Sequence, residues 1–256
     1  MGIHPSPDIA QEIMEDLLRD LEQVDVYIDD VGCFHNNWDS HLRTLDKVLT
    51  ILQDSNFTVS PLKCEWAVQE TDWLGYWLTP KGLKPWKKKI EAILAIQEPR
   101  TVKQLRSFIG AVNFYRDMYP KRSHLMAPLT KLAPGKGTVK WNAECQESFN
   151  QIKALLAKDD FLRYPDHNKP FHVYADASNL QLGAVIIQDG APVAYYSRKM
   201  NSAQRNYTVR EKKLLSIVET LKEFCTMLYR ASQLHVYTDH KNNTFNKFHT
   251  QRVLRW

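Results

Sequence analysis

The chain has 256 residues, 43% of them hydrophobic and 25% charged, a composition that builds a buried core and excludes a wholly disordered chain. Its four cysteines, Cys33, Cys64, Cys145 and Cys225, form no Cys-x-x-Cys pair, which argues against a structural zinc site or a disulfide framework. With no apolar run near roughly 18 residues and no basic-then-apolar N-terminus, the expectation is an intracellular protein, cytoplasmic or nuclear, neither secreted nor in a membrane. The net charge of +5 hides an asymmetry: residues 1–80 carry 4 Lys/Arg against 15 Asp/Glu (−11), residues 81–136 carry 13 against 3 (+10), and the rest 17 against 11 (+6). A basic segment that also holds Trp86, Phe108, Phe114, Tyr115 and Tyr119 suits a phosphate backbone, and it equally suits a solvated basic helical face.

Ser6-Pro7-Asp8 supplies an N-cap, a first-turn proline and a first-turn acid, and apolar residues from Ile9 to Leu21 recur at helical spacing, which predicts a helix over 7–22. "VDVYI" and "VGCF" flank Asp29-Asp30 and read as a hairpin with two carboxylates at its tip. A helix follows over 39–54. Short strands are expected near 57–60, 65–69 and 73–78, then a turn at "TPKG", 79–82. Helical periodicity runs from Lys87 to Tyr119 with a break at Glu98-Pro99, and Pro128 to Gly137 reads as a linker. Trp38, Trp66, Trp73 and Trp77 are expected in the core.

The last third changes character. "FHVYADAS", "GAVIIQ" and "APVAYYSRK" read as three strands, the latter two joined through Asp189-Gly190. A helix over about 208–229, packed through Leu214, Val218 and Leu221, and the strand "LHVYTDH" complete a βββαβ order. Asp176 and Asp239 close the first and fourth of these strands, where carboxylates from neighbouring strands can converge on divalent ions for phosphodiester cleavage.

"YIDD" at 27–30, "WLGYWLTPKGLKP" at 73–85, "RSFIGAVNFYRDMYP" at 106–120, "YADAS" at 174–178 and "YTDHKNNTF" at 237–245 stand in an order that resembles the Pol polyprotein of gypsy-like LTR retrotransposons. The resemblance covers essentially the whole chain and implies an α+β architecture: a partial polymerase palm over 1–80, a helical thumb over 81–134, a connection over 135–170 and a ribonuclease H-like α/β domain over 171–256. It implies RNA-directed DNA synthesis and RNA cleavage as the family's activities, Mg²⁺ as cofactor and an RNA/DNA hybrid or duplex as partner. Association with a second copy or with intact Pol chains is a further expectation. By resemblance Asp29 and Asp30 match the polymerase metal-binding pair, and Asp176 and Asp239 match nuclease metal ligands. Trp73, Leu74, Gly75 and Tyr76 match the primer grip, Lys87, Lys88 and Lys89 lie in the thumb, and the resemblance implies a substrate contact for His240, which reads equally as a polar turn residue.

The sequence also departs from the family. The family's further palm aspartate lies upstream of the helix that begins near Pro7, and a fourth nuclease acid lies beyond Trp256, so the resemblance implies truncation at both ends and impaired catalysis. In the family's nuclease helix the acid directly before two leucines is the metal ligand. Aligned on Leu214-Leu215, that position holds Lys213, and Glu211 matches an earlier, non-ligating glutamate. Two residues on a helix differ by about 200°, so Glu211 can replace the ligand only if the helix shifts, and both assignments remain open at this level.

Overall fold

The computed structural model describes residues 6–158 and 161–239. It divides into two compact units, one ending at Trp66 and the other beginning at Ala67.

In the first unit, α1 (Ser6–Leu18) precedes a hairpin of β1 (Val24–Tyr27) and β2 (Asp30–Cys33), and α2 (Trp38–Asp54) follows it. Asn37 caps α2 by accepting a hydrogen bond from Ser40 N at 2.8 Å. Met14, Leu18, Val48 and Leu52 form a small core against Val24, Val26 and Val31. Helix α1 is one turn shorter than its periodicity predicts. The strands expected at 57–60 and 65–69 do not form. Asn56, at φ 60°, closes the end of α2, a one-turn 3₁₀ segment occupies Pro61–Lys63, and neither stretch finds a ladder partner, without which an isolated strand is unstable. Trp38, at 59% exposed, and Trp66, at 46%, are surface residues rather than core.

The second unit opens with an antiparallel meander of β3 (Thr71–Trp73), β4 (Tyr76–Thr79) and β5 (Gly82–Pro85). The segment 73–78, expected as one strand, contains a tight turn instead, with Leu74 at φ 50° and Gly75 at φ 84° between the paired Trp73 and Tyr76. Positive φ at both central residues gives the turn twist that suits a two-residue hairpin. Thr79 Oγ1 accepts from Gly82 N at 3.2 Å and closes the 79–82 turn. Gly82 cannot carry a side chain: a Cβ there would stand 2.2 Å from Leu162 O, the carbonyl that accepts from Leu83 N at 2.8 Å and ties β5 to the segment leading into the last sheet.

Helices α3 (Lys87–Ala95), α4 (Val102–Phe114), α5 (Arg122–Leu125), α6 (Ala127–Leu132) and α7 (Ala143–Leu156) follow. The Glu98-Pro99 break is present, and a reciprocal Thr101/Gln104 cap starts α4. The expected linker from Pro128 is partly helical, because Pro128 stands in the first turn of α6, where its missing N–H costs nothing. Leu105, Phe108, Tyr115, Leu129, Phe149 and Ile152 centre one core.

The last sheet comprises β6 (Phe171–Ala177), β7 (Gln181–Gln188), β8 (Ala191–Lys199) and β9 (Leu234–Tyr237), ordered β8-β7-β6-β9. The first three pair antiparallel, with Asp189 and Gly190 in the expected positive-φ turn. Between β8 and β9 run α8 (Ser202–Arg205), α9 (Val209–Glu223) and α10 (Cys225–Leu228), a helical crossover of the kind that parallel β6 and β9 require. The helix expected over 208–229 is thus interrupted at Phe224. Its packing face also differs from expectation: Leu215, Ser216 and Thr220 are buried, whereas Leu214 and Val218 are half-exposed. Ser216 Oγ donates to Gly183 O at 3.0 Å, and these small side chains bring the helix close to the sheet. Among the described residues no helix is long and apolar enough to cross a membrane.

Candidate functional site

Three groups of side chains bear on function. The first is the β1–β2 hairpin tip. Tyr27 pairs with Asp30, leaving Ile28 and Asp29 as the turn, so Asp30 opens β2 rather than sharing the tip with Asp29. Both carboxylates are exposed. Ile28 has φ 56°, an outlier for a β-branched residue that something must hold. Gln11 of α1 does so: its Nε2 donates to Val26 O at 3.0 Å, and its Oε1 accepts from Ile28 N. The sequence carries no signal for Gln11, since a glutamine on a helix looks like any solvated residue until the hairpin folds over it.

The second group surrounds the Leu74-Gly75 turn. Tyr115, fully buried, donates its hydroxyl hydrogen to Gly75 O at 2.7 Å and accepts from Trp86 N at 3.2 Å. Burial pushes this phenol up to about 12, so it remains a donor at ordinary pH. Tyr76 stacks on Phe114, with centroids 5.3 Å apart, and donates to Phe114 O at 3.2 Å. Lys87 and Lys88 are exposed. Lys89 is turned inward, its Nζ 3.1 Å from the centre of the Phe114 ring, and desolvation lowers its pKa. The three lysines, one run in sequence, therefore divide into two solvent-facing charges and one packed into the nest. Trp73 and Tyr76 are half-buried, and Leu74 projects from the tip.

The third group lies at the ends of β6 and β9. Lys213, on the second turn of α9, points between Asp176 and Asp239: its Nζ is 3.5 Å from Asp176 Oδ1 and donates to Asp239 Oδ1. The lysine side chain is 12% exposed, the two carboxylates 79% and 69%. Hydrogen bonding to Asp239, with Asp176 beside it, holds the ammonium above its ordinary pKa. Glu211 is buried elsewhere. Its Oε2 accepts from Thr208 N at 2.8 Å and from Thr208 Oγ1 at 2.9 Å, forming the capping box that starts α9. Neighbouring Lys212, also buried, donates to Asn179 Oδ1 at 3.3 Å and braces the loop after β6. His240 lies outside the described residues.

These positions give a test of the Mg²⁺ expectation. Mg²⁺ takes about six oxygen ligands in near-octahedral geometry. Between Asp176 and Asp239 the intervening position is taken by a cation the chain itself carries, so this donor set does not fit the ion. Asp29 and Asp30 offer two open carboxylates, and among the described residues no three His, Cys, Asp or Glu side chains converge on one point.

The fold and these clusters define a class: the end of a reverse transcriptase followed by a ribonuclease H-like domain. Residues 1–78 match the family model "Reverse transcriptase (RNA-dependent DNA polymerase)" and residues 141–236 match "RNase H-like domain found in reverse transcriptase". Along nearly its whole length the chain is similar to the Pol polyproteins of LTR retrotransposons. It is 34% identical over 275 residues to the retrovirus-related Pol polyprotein from transposon opus of Drosophila melanogaster, covering 100% of this chain and 27% of that protein. Against the Pol polyprotein from transposon gypsy of the same organism the identity is 31%, covering 100% and 26%. Among solved structures, a foamy viral protease-reverse transcriptase in complex with RNA/DNA hybrid aligns with TM-score 0.87 at 26% identity, over 100% of this chain and 36% of that one. The double-stranded DNA complex of a foamy viral protease-reverse transcriptase aligns with TM-score 0.85 at 27% identity, over 94% and 51%. The chain thus spans about a quarter of the length of these curated relatives.

Proposed function

We propose that this chain is a duplex-binding portion of Pol that holds an RNA/DNA hybrid without cutting it. Asp29 and Asp30 supply two metal-binding carboxylates toward a polymerase site, for which Mg²⁺ is the family's ion. Residues 81–134 act as the thumb, 135–170 as the connection and 171–256 as the nuclease-like domain, after a palm portion over 1–80. Hybrid binding is supported by the +10 charge of residues 81–136 and by the hybrid complex of the similar foamy viral enzyme.

The observation that carries the absence of cleavage is Lys213 between Asp176 and Asp239. An ammonium there opposes a divalent cation by like charge and fills the space the ion would need. Glu211, the alternative ligand, is engaged as a helix cap, and freeing it would cost that cap about 1 kcal/mol. The test is a labelled RNA/DNA hybrid incubated with the chain and Mg²⁺. Salt-sensitive binding without RNA cleavage is the expected result; Mg²⁺-dependent cleavage lost on Glu211→Gln would replace this reading with one in which Glu211 ligates the metal.

A further inference from the structure

We infer that Tyr115 is a positioning residue for nucleic-acid binding, its hydroxyl fixing the Leu74-Gly75 tip against helices α3 and α4. The inference rests on the hybrid-binding reading and deepens it.

The tip is a strained object. Leu74 sits at φ 50°, where an L side chain crowds its own backbone. Two residues cannot hold such a turn by themselves, and the hairpin it closes, Trp73 to Tyr76, has only a three-residue first strand. The restraint comes from 40 residues further along the chain. Tyr115 lies just past α4 and uses both hydrogen-bonding capacities of one oxygen: donation to Gly75 O and acceptance from Trp86 N, the residue preceding α3. A single hydroxyl thus links the turn and the start of the helix that carries Lys87 and Lys88.

The surroundings leave the tip little freedom. Tyr76 and Phe114 stack, Tyr115 meets Tyr76 edge-on at 5.5 Å, and Lys89 caps the Phe114 ring. A Cβ on Gly75 would stand 3.0 Å from both Lys89 Nζ and Phe114. Leu74 is 40% exposed at the apex. The arrangement is a preformed projection whose distance to the exposed lysines is set by one buried oxygen, so a duplex that touches both pays little ordering entropy on binding.

The test is hybrid affinity by fluorescence anisotropy on the full chain, with the thermal midpoint recorded in parallel. Tyr115→Phe keeps the ring and removes the oxygen. The expected result is a roughly fivefold weaker affinity, the worth of one net hydrogen bond, with an unchanged salt slope because no charge is lost. In a Leu74→Ser background the same change should cost much less, since a residue that acts through the tip is coupled to it. Equal affinity loss in both backgrounds, or a lowered midpoint with unaltered affinity, overturns the inference and leaves Tyr115 a core residue only. Gly75→Ala displaces the tip while retaining the hydroxyl and supplies the same comparison should Tyr115→Phe not fold. If the parent chain binds no hybrid, the hybrid-binding reading itself is wrong.

Discussion

Replacing Lys213 tests the contact on which the absence of cleavage rests. Lys213→Met removes the ammonium while keeping a flexible side chain of similar length. At 3.5 Å from Asp176 Oδ1, a unit pair is worth about 1 kcal/mol at the dielectric of water and about 5 kcal/mol at an effective value of 20. The carboxylates are 79% and 69% exposed, so the value near the water limit applies, about 1 kcal/mol for each of the two pairs. Methionine should therefore destabilise the second unit by about 2 kcal/mol, which lowers the thermal midpoint by roughly 4–8 °C for a body of this size. Lys213→Glu should be worse in EDTA, because three carboxylates then face one another. Mg²⁺ should recover part of that loss, about 1.4 kcal/mol at ten times its dissociation constant. The assay is thermal unfolding of parent, Met and Glu chains with EDTA and across a Mg²⁺ titration. The parent should not respond specifically and the Glu chain should respond saturably. A saturable rise in the parent that Asp176→Asn abolishes would refute the reasoning, since it would mean that the ion displaces Lys213.

Three other outcomes are expected. Lys87→Ala with Lys88→Ala should flatten the salt dependence of hybrid binding by about two phosphate contacts, roughly 0.9 logarithmic unit of slope for each on a duplex, whereas Lys89→Ala should lower the thermal midpoint by removing its contact with Phe114; the two measurements side by side check the division. Glu211→Ala should cost about 1 kcal/mol through the lost α9 cap and leave the Mg²⁺ response of the Lys213→Glu chain intact, as denaturant unfolding with and without the ion would register. The folded Tyr115 phenol titrates at about 12 against an ordinary 10, so the stability it contributes is complete below pH 10 and lost as pH rises through 12. Tyr115→Phe should accordingly flatten the alkaline fall in stability over that window by about 2–3 kcal/mol at most, read from unfolding curves at stepped pH.

What the sequence determined by itself is the succession of local patterns. The βββαβ order, the Asp189-Gly190 hairpin, the Glu98-Pro99 break and the opposite directions of Glu211 and Lys213 all follow from periodicity and turn chemistry among near neighbours in the chain, as does the charge contrast between 1–80 and 81–136. Tertiary structure decided where those patterns meet. Trp38 is exposed although tryptophan favours burial, and 57–60 and 65–69 are not strands although they read as such, because burial and pairing require a partner surface that a local pattern does not specify. The buried stripe of α9 runs through Ser216 and Thr220 in place of Leu214 and Val218, since close approach to β7 favours small side chains there over larger apolar ones. Lys89 leaves the run of surface lysines only because Phe114, 25 residues later, offers its ring. Lys213 could be read as a missing acid from the order of letters, but its role as the counter-ion of Asp176 and Asp239 arises from parallel β6 and β9, which place two strand ends side by side beneath one helix; Coulomb attraction acts over ångströms in space, and only the fold converts separations of 26 and 37 residues into such distances.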